Sequence, residues 1–285
     1  MITASIIICT FNRAALLEKT LRVLEAYYRD RRDIEIILVD NNSSDNTQEL
    51  TKKFSWVHYC FEEKPGISNA RNRGISETSG ALVIFLDDDA YPDQPIWLDN
   101  YIRFFANHPD CAAAGGEVMP EFETPPPAWI TGDRTFEGYL SILKFPKTRP
   151  IKFPELPIGA NIAYRRSLLQ EVGDFNASLG RVGKNLLSNE EVMIQIQAED
   201  AGHKFYYLKG VEVNHFIHQE RLTRKWFIRR FFWQGKSDRL SGNKPTRPLA
   251  QFFKSLIHFF NPLSDFKKRL GLIYLLGFYA AREGS

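Results

Sequence analysis

Three consecutive aspartates, Asp87-Asp88-Asp89, follow directly on the apolar run from Ala81 to Leu86. Adjacent carboxylates repel one another and are driven towards protonation unless a cation or strong hydrogen-bond donors intervene. An all-oxygen donor set of this kind suits Mg²⁺ or Mn²⁺, and a hard divalent ion held by one or two carboxylates is a common grip on a diphosphate. A solvated acidic loop with helix-capping aspartates is the plainer interpretation, and the buried-strand character of the preceding run argues against it. A second acidic pair, Glu190-Glu191, follows Asn189 and opens a segment with Val192, Ile194 and Ile196. A carboxylate near a helix N-terminus is stabilised by the helix dipole and stays ionised. That is the state a general base needs to take a proton from an acceptor hydroxyl. Taken alone, the pair is better explained as a first helical turn that favours glutamate. Asp40 closes the run Ile36 to Val39, where a carboxylate can accept from a base imide or a ribose hydroxyl. The Asp40-Asn41-Asn42-Ser43 composition also suits a simple turn. His215 follows Val211-Glu212-Val213 and precedes His218 and Arg221, and it is either a metal ligand or a structural strand-end histidine.

These groups need elements to aim them. Ser5 to Cys9 is a short apolar, β-branched run, and Ile34 to Val39 is a second; both are expected to be buried strands. A third strand is expected over Val57 to Phe61 and a fourth over Ala81 to Leu86. Between them, Leu16, Leu17, Thr20, Leu21 and Leu24 recur at helical spacing, and a second helix follows Gly66 through Ala70 and Ile75. Asp45, with Gln48 three residues on, is expected to cap a further helix. Apolar strands alternating with helices predict an α/β protein with a mostly parallel, Rossmann-like sheet covered on both faces. In such sheets ligands bind beyond the carboxyl ends of the strands. Thr10, Asp40 and Asp87 fall at those ends and are expected to converge on one crevice. Further on, Gly115 to Val118 is expected at a strand edge. Pro146 to Pro157 is expected to be extended loop, Asn189 to Ala201 a helix, and His203 to Val213 a strand. From Leu222 the chain becomes helical, aromatic and basic.

Composition removes several alternatives. The chain has 285 residues, with 37 Lys+Arg against 34 Asp+Glu, 44% hydrophobic and 25% charged residues. It can bury a full core, and neither disorder nor a strongly basic nucleic-acid binder fits. Cys9, Cys60 and Cys111 form no CxxC pair and no even set, which favours a reducing compartment. No basic n-region with an apolar h-region opens the chain, and Leu270 to Ala281 is too short to span a bilayer. A cytoplasmic enzyme is therefore expected, placed at most peripherally on the inner face of the plasma membrane. No G-x-G-x-x-G follows the first strand and no G-x-x-x-x-G-K-[ST] occurs, so dinucleotide and P-loop sites are excluded. Aromatic residues reach 13%, and many lie after Leu222 interleaved with Lys and Arg. That pattern fits either an interfacial membrane helix or helices packed on the sheet and on a partner subunit.

In order and spacing, the chain over roughly residues 3–240 resembles the family 2 glycosyltransferases, whose fold is GT-A. The signposts are Ile8 to Arg13, Val39 to Asp45, Pro65 to Gly74, Phe85 to Asp89, Gly159 to Ala163, Asn189 to Glu191, and Val213 to His215 with Arg221. The resemblance implies a GT-A domain over 1–221, with nucleotide-sugar binding in about 1–118 and the acceptor part in about 119–221. A helical extension over 222–285 follows. It implies that Thr10, Phe11, Asn12 and Arg13 line the nucleoside pocket, that Asp40 bonds the base, and that Gly66, Arg71 and Asn72 lie beside ribose and phosphates. Asp87 and Asp89 match the outer positions of the D-x-D motif, with Asp87 or Asp88 on ribose. Asp89, Asp87 and His215 would hold Mn²⁺ or Mg²⁺, and Arg221 would contact the leaving diphosphate. The loop carrying Asn161 would position the donor. The usual Glu-Asp pair reads Glu190-Glu191 here, so Glu191 falls at the base position and Glu190 remains a rival. The implied reaction is an inverting, metal-assisted single displacement from a nucleotide sugar, UDP-linked first among candidates. The acceptor is a glycan or a lipid-linked glycan of cell-surface polysaccharide. Two alternatives are a catalytically degenerate scaffold or glycan-binding subunit, and a sugar-phosphate nucleotidyltransferase. The second would need a Gly-rich loop where Thr10 to Arg13 stands.

Overall fold

The computed structural model describes residues 2–243, 248–261 and 265–281. The first four strands are β1 (Ala4–Thr10), β2 (Ile34–Asp40), β3 (His58–Phe61) and β4 (Leu82–Leu86), linked by α1 (Ala14–Tyr28), α2 (Thr47–Thr51) and α3 (Ile67–Ser76). They pair in parallel in the order β3-β2-β1-β4. Strands β1, β2 and β4 are apolar along nearly their whole length because helices cover both faces, while β3 at the edge buries only Cys60. Alternate residues feed two cores. Ile6, Ile8, Ile36, Leu38 and Ile84 pack with Leu17, Leu21 and Leu24 of α1 on one side. Ile7, Ile37, Val39, Val83 and Phe85 pack on the other. Full burial of each such side chain stabilises by about 1.5–3 kcal/mol.

The second half comprises β5 (Ala90–Pro92), α4 (Trp97–Asn107), β6 (Cys111–Phe122), α5 (Arg134–Tyr139), β7 (Arg149–Ile151), β8 (Asn161–Arg165), α6 (Arg166–Val172), α7 (Glu190–Asp200) and β9 (Lys204–Ile217). A 3-10 turn at Gln219–Leu222 leads to α8 (Arg224–Leu240), α9 (Pro248–Phe260) and α10 (Phe266–Ala280). The sheet continues β4-β8-β6-β9-β5, with β7 against β9. It is mixed rather than mostly parallel, because β8 runs antiparallel to both β4 and β6. The Gly115–Val118 segment lies inside the twelve-residue β6 between β8 and β9, not at a sheet edge. The run Cys111 to Gly116 is dominated by Ala and Gly, a weak β signal that burial and pairing override. Strand β9 extends to Ile217, so His215 lies within the strand instead of ending it. Arg149 to Ile151 adds a short strand inside the Pro-spaced segment. Asp45 does more than cap one helix: Oδ1 accepts from Thr47 N at 3.1 Å and Oδ2 from Ala14 N at 3.0 Å, serving the starts of both α2 and α1.

The C-terminal aromatics divide between inside and outside. Phe227 and Phe231 of α8 and Leu270 of α10 join Ile130, Phe136 and Leu140 in a third core, with Trp129, Trp226 and Phe266 against it. Two glycines let α8 and α10 touch backbone to backbone. A Cβ on Gly235 would fall on the Tyr274 carbonyl, and one on Gly277 on the Phe232 carbonyl. Ile257 and Phe260 of α9 and Leu276 and Tyr279 of α10 are exposed. No helix among the described residues is long and apolar enough to cross a membrane.

Candidate active site

Parallel register brings Thr10 level with Asp40 and Asp40 level with Phe61, so the loops after β1, β2 and β3 share one edge. Sequence order reverses between β1 and β4, which opens a crevice there. The first two loops are laced together. Asn12, held at φ 53°, accepts on Oδ1 from Ser44 N at 2.7 Å and Asp45 N at 3.2 Å, and its own N–H donates to Ser43 Oγ at 2.9 Å. Asp40 is buried and accepts from Ser43 N at 2.9 Å and from the Tyr59 hydroxyl at 3.0 Å. Gly66, at φ 128°, donates its N–H to Asn41 Oδ1 at 2.7 Å, fixing the start of α3 against the β2 loop. Phe11 stands exposed beside these loops.

The aspartate triplet splits by side. Asp88 turns inward, where Thr10 Oγ1 donates to it at 2.8 Å and Arg13 Nη1 at 3.0 Å. Burial raises its pKa, opposed by Arg13 and reinforced by Asp89. The half-buried Asp87 and the buried Asp89 are two residues apart, and His215 joins them, their ligand atoms all lying within 4.8 Å of one another. Burial works against the Asp89 charge, but His215, Arg13 and Arg221 together hold its carboxyl below the usual range. Arg13 Nη1 lies 2.7 Å from Asp89 Oδ2 and His215 Nε2 3.4 Å from Asp89 Oδ1. The other ring nitrogen, Nδ1 of His215, is buried without a hydrogen-bond partner. Two carboxylates and an imidazole with one nitrogen unbonded fit a divalent cation. His218 is exposed and pairs with Glu123 at 3.3 Å, outside this group. Arg221 is near enough to Asp89 and Asp87 for their charges to act on it, while burial, Arg181 and Arg13 disfavour its own charge. Its Nε and Nη2 are buried without partners. A buried guanidinium with unmet donors is the complement of an anion.

The glutamate pair is held from a distant element. Arg71 of α3 is buried between the faces of Phe85 and Phe175, at 5.7 and 5.4 Å. It donates to Glu190 Oε1 at 2.7 Å and pairs with Glu191 Oε1. Glu191 Oε2 also accepts the Gly159 N–H at 2.9 Å. A side chain at Gly159 would collide with that carboxylate, so the close approach requires glycine. Burial raises the Glu191 pKa to about 7, with Arg71 pulling it down and Glu190 and Asp87 pushing it up. Glu190 keeps Oε2 buried and without a partner. One carboxylate poised near neutrality beside another with an open oxygen is an arrangement suited to proton abstraction.

Three expected ligand contacts are engaged elsewhere. Arg71 serves the glutamates instead of an open phosphate site. Asn72 is clasped to Phe175 at both ends of its amide, at 2.9 and 2.8 Å. Asn161 is wholly buried: Trp97 Nε1 and the Tyr101 hydroxyl donate to its oxygen, and its nitrogen donates to the Glu117 and Val211 carbonyls. All four of its hydrogen-bonding positions are filled. It anchors β8 and leaves nothing for a ligand. Sequence reasoning passed over Gly159 as the group that orients Glu191. The only local signal is a glycine just before β8, which has no partner in view until α7 is folded against it.

Loops converge at the reversal of a mixed sheet, with an Asp-x-Asp beside a histidine, and the fold is that of the GT-A glycosyltransferases. Two solved structures share the fold. S. aureus TarS (residues 1–349) matches with TM-score 0.59 and 15% identity over 98% of this chain and 72% of that one. The mannosyltransferase PcManGT from Pyrobaculum calidifontis, in complex with GDP-Man and Mn²⁺, matches with TM-score 0.59 and 18% identity over 97% and 74%. The profile of Glycosyl transferase family 2 matches residues 5–173, and the chain belongs to that family. It is 25% identical over 250 residues to the glucosyl-dolichyl phosphate glucuronosyltransferase of Haloferax volcanii, covering 83% of this chain and 76% of that protein. It is 41% identical over 91 residues to the GalNAc(5)-diNAcBac-PP-undecaprenol beta-1,3-glucosyltransferase of Campylobacter jejuni, 30% and 29% of the respective lengths.

Proposed function

We propose that this glycosyltransferase moves a sugar from a nucleotide-diphosphate donor, a UDP-sugar first, to a hydroxyl of a lipid-linked glycan, with inversion at the anomeric carbon. The observation that carries the reading is the nearness of two charge sets. Asp87, Asp89 and His215 lie with Arg221, whose Nε and Nη2 have no hydrogen-bond partner, and the Asp87 charge acts on Glu191, which sits between Arg71 and the Gly159 N–H. Asp40 with Tyr59, Asn12 and the open face of Phe11 would receive the nucleoside. Asp87, Asp89 and His215 would hold Mn²⁺ or Mg²⁺, which when bound neutralises charge on a departing diphosphate. Arg221 donates its free N–H groups to that diphosphate. Glu191 accepts the proton of the attacking hydroxyl while Arg71 and Gly159 keep its carboxylate aimed. Glu190, with its open Oε2, is the second candidate for that proton.

Residues 1–118 would form the donor half, 119–221 the acceptor half, and 222–285 a helical extension. Both relatives named above carry polyprenyl-linked substrates in their names, which supports a lipid-linked acceptor. The exposed Ile257, Phe260, Leu276 and Tyr279, on helices that also carry Lys254 and Lys268, support work at an anionic membrane surface.

The deciding experiment is a panel of UDP-, GDP- and dTDP-sugars with Mn²⁺, scored for hydrolysis and transfer and for anomeric configuration of the product. Glu191→Gln should bind donor as the wild type does and lose about 10²- to 10⁴-fold in transfer. Retention of configuration, full activity in excess chelator, or an unimpaired Glu191→Gln enzyme overturns the scheme. A folded chain that turns over no donor supports the scaffold reading.

A further inference from the structure

Asn189, directly before Glu190-Glu191, sits at φ 79° in the left-handed region. Its carbonyl accepts from Met193 N at 2.9 Å, starting α7. Asparagine tolerates that conformation better than most residues, so what fixes it is read from the surroundings of its side chain. Here the surroundings are α8. Asn189 Nδ2 donates to Asp238 Oδ1 at 2.8 Å and to Ser241 Oγ at 3.1 Å, and its Oδ1 accepts from Gln234 Nε2 at 3.0 Å. Gln234 Nε2 donates to Asp238 Oδ1 as well, at 2.8 Å. One residue earlier, Ser188 N donates to Ser237 Oγ at 3.0 Å, and Ser188 Oγ accepts from Arg230 Nη2 at 3.2 Å. Residues 230, 234, 237, 238 and 241 recur at helical spacing, so a single polar stripe of α8 addresses the two residues that precede the glutamates. Behind the stripe, the Tyr274 hydroxyl of α10 donates to Asp238 Oδ2 at 2.7 Å. Burial and the Asp238 carboxylate push the Tyr274 phenol above its usual range, so it stays a donor throughout the working pH range.

We infer that Asp238, backed by Tyr274, is a positioning residue: it locks Asn189 and thereby aims Glu190 and Glu191 at Arg71 and the Gly159 N–H. The helical extension is then part of the catalytic apparatus. The inference rests on the reading that this glutamate pair supplies the base. Asp238 touches neither the proposed donor site nor the proposed cation site. Its loss should therefore lower kcat and leave nucleotide binding in place.

The test uses the full chain and compares wild type with Asp238→Ala, Tyr274→Phe and Asp238→Asn. Asp238→Ala should lower kcat about tenfold or more while the Kd for UDP with Mn²⁺ stays within about twofold. The acid limb of the pH–rate profile should move upward as Glu191 loses registry with Arg71. The other groups acting on that carboxylate, Glu190, Asp87 and the Gly159 N–H, are left in place. Tyr274→Phe should show a smaller change of the same sign. Asp238→Asn keeps an oxygen for Asn189 and Gln234 and should recover most of the rate. Amide hydrogen exchange over 188–193 should quicken in Asp238→Ala, a readout independent of turnover. Unchanged kcat with unchanged exchange overturns the inference. A kcat loss matched by an equal loss of nucleotide-binding stoichiometry also overturns it, because it marks a folding defect. If wild type transfers nothing from any donor while exchange over 188–193 still quickens in Asp238→Ala, the clamp stands and the transferase reading fails.

Discussion

Replacing Arg71 by Met removes the cation that pairs with both Glu190 and Glu191 and keeps an apolar stem between Phe85 and Phe175. The pair changes from a net charge of −1, two carboxylates with one guanidinium, to −2. A unit charge about 4 Å away at an effective dielectric near 20 is worth about 4 kcal/mol, or roughly 3 pK units. The two glutamates can share a proton and water can relax around them, so on the order of 1–3 units should appear in the apparent pKa. Glu191 starts at about 7, where burial has already lifted it against the pull of Arg71. Without Arg71 it titrates higher. A base works ionised, and half of Glu191 is ionised at pH 7 to begin with, so at pH 7 the variant should lose about 5- to 500-fold in kcat/KM and regain rate as pH rises. The assay is the pH–rate profile from acid to alkaline limits, with UDP and Mn²⁺ binding measured alongside. An uncompensated buried charge costs about 3–5 kcal/mol, so two companions guard against a simple failure to fold. Arg71→Lys keeps the charge and should leave the acid limb close to the wild-type position. Arg71→Met with Glu190→Gln returns the pair to −1 and should bring the limb most of the way back. A folded, nucleotide-binding Arg71→Met enzyme whose acid limb has not moved refutes the electrostatic argument.

Two further outcomes follow from the same geometry. His215→Ala should weaken Mn²⁺ binding about 10- to 100-fold by electron paramagnetic resonance titration, and His218→Ala, paired with Glu123 outside the cluster, should change nothing; the reverse ranking would place the cation elsewhere. Wild-type protein should float with vesicles rich in anionic phospholipid, and the triple change Ile257→Ser, Phe260→Ser and Leu276→Ser should abolish flotation without slowing transfer to a water-soluble acceptor. Failure of the wild type to float removes the membrane proposal.

Which residues were legible beforehand depends on how local their physics is. The strands β1, β2 and β4 could be read because burial on both faces writes a continuous apolar run, and the ends of those runs place Thr10, Asp40 and Asp87. Asp87, Asp89 and His215 are grouped through the family resemblance, because donor types alone leave His215 between a ligand and a structural role. Their meeting requires only that β5, just after the aspartates, pairs with β9 so that Ala90 lies opposite His215. Arg71 was not legible in the same way. Its partners are 119 and 120 residues away in sequence, and nothing near Ala70 or Asn72 indicates that this side of α3 will face α7. Asn161 shows the opposite failure: a polar residue in a motif suggests a ligand, while its four filled hydrogen-bonding positions show a side chain required by its own burial.

The aromatic, basic C-terminal segment was open to two interpretations because composition cannot assign a residue to a helix face. Packing sorts its residues into an inside and an outside set. Phe227, Phe231 and Phe266 close a core with Trp129 and Phe136, while Ile257, Phe260, Leu276 and Tyr279 remain outside. The polar residues of the same segment carry the more consequential information, and no motif distinguishes them. Gln234, Ser237, Asp238 and Ser241 look like the solvated face of a surface helix until Asn189 is seen in the left-handed region against them. Asparagine enters the left-handed region more readily than most residues, so it is the hydrogen bonds from α8, not the dihedral itself, that mark a constraint from outside the helix on the residue before the glutamate pair. The constraint comes from the segment that motif comparison leaves unexplained. Sequence divergence in such an extension should therefore track the aim of the base as much as the choice of acceptor.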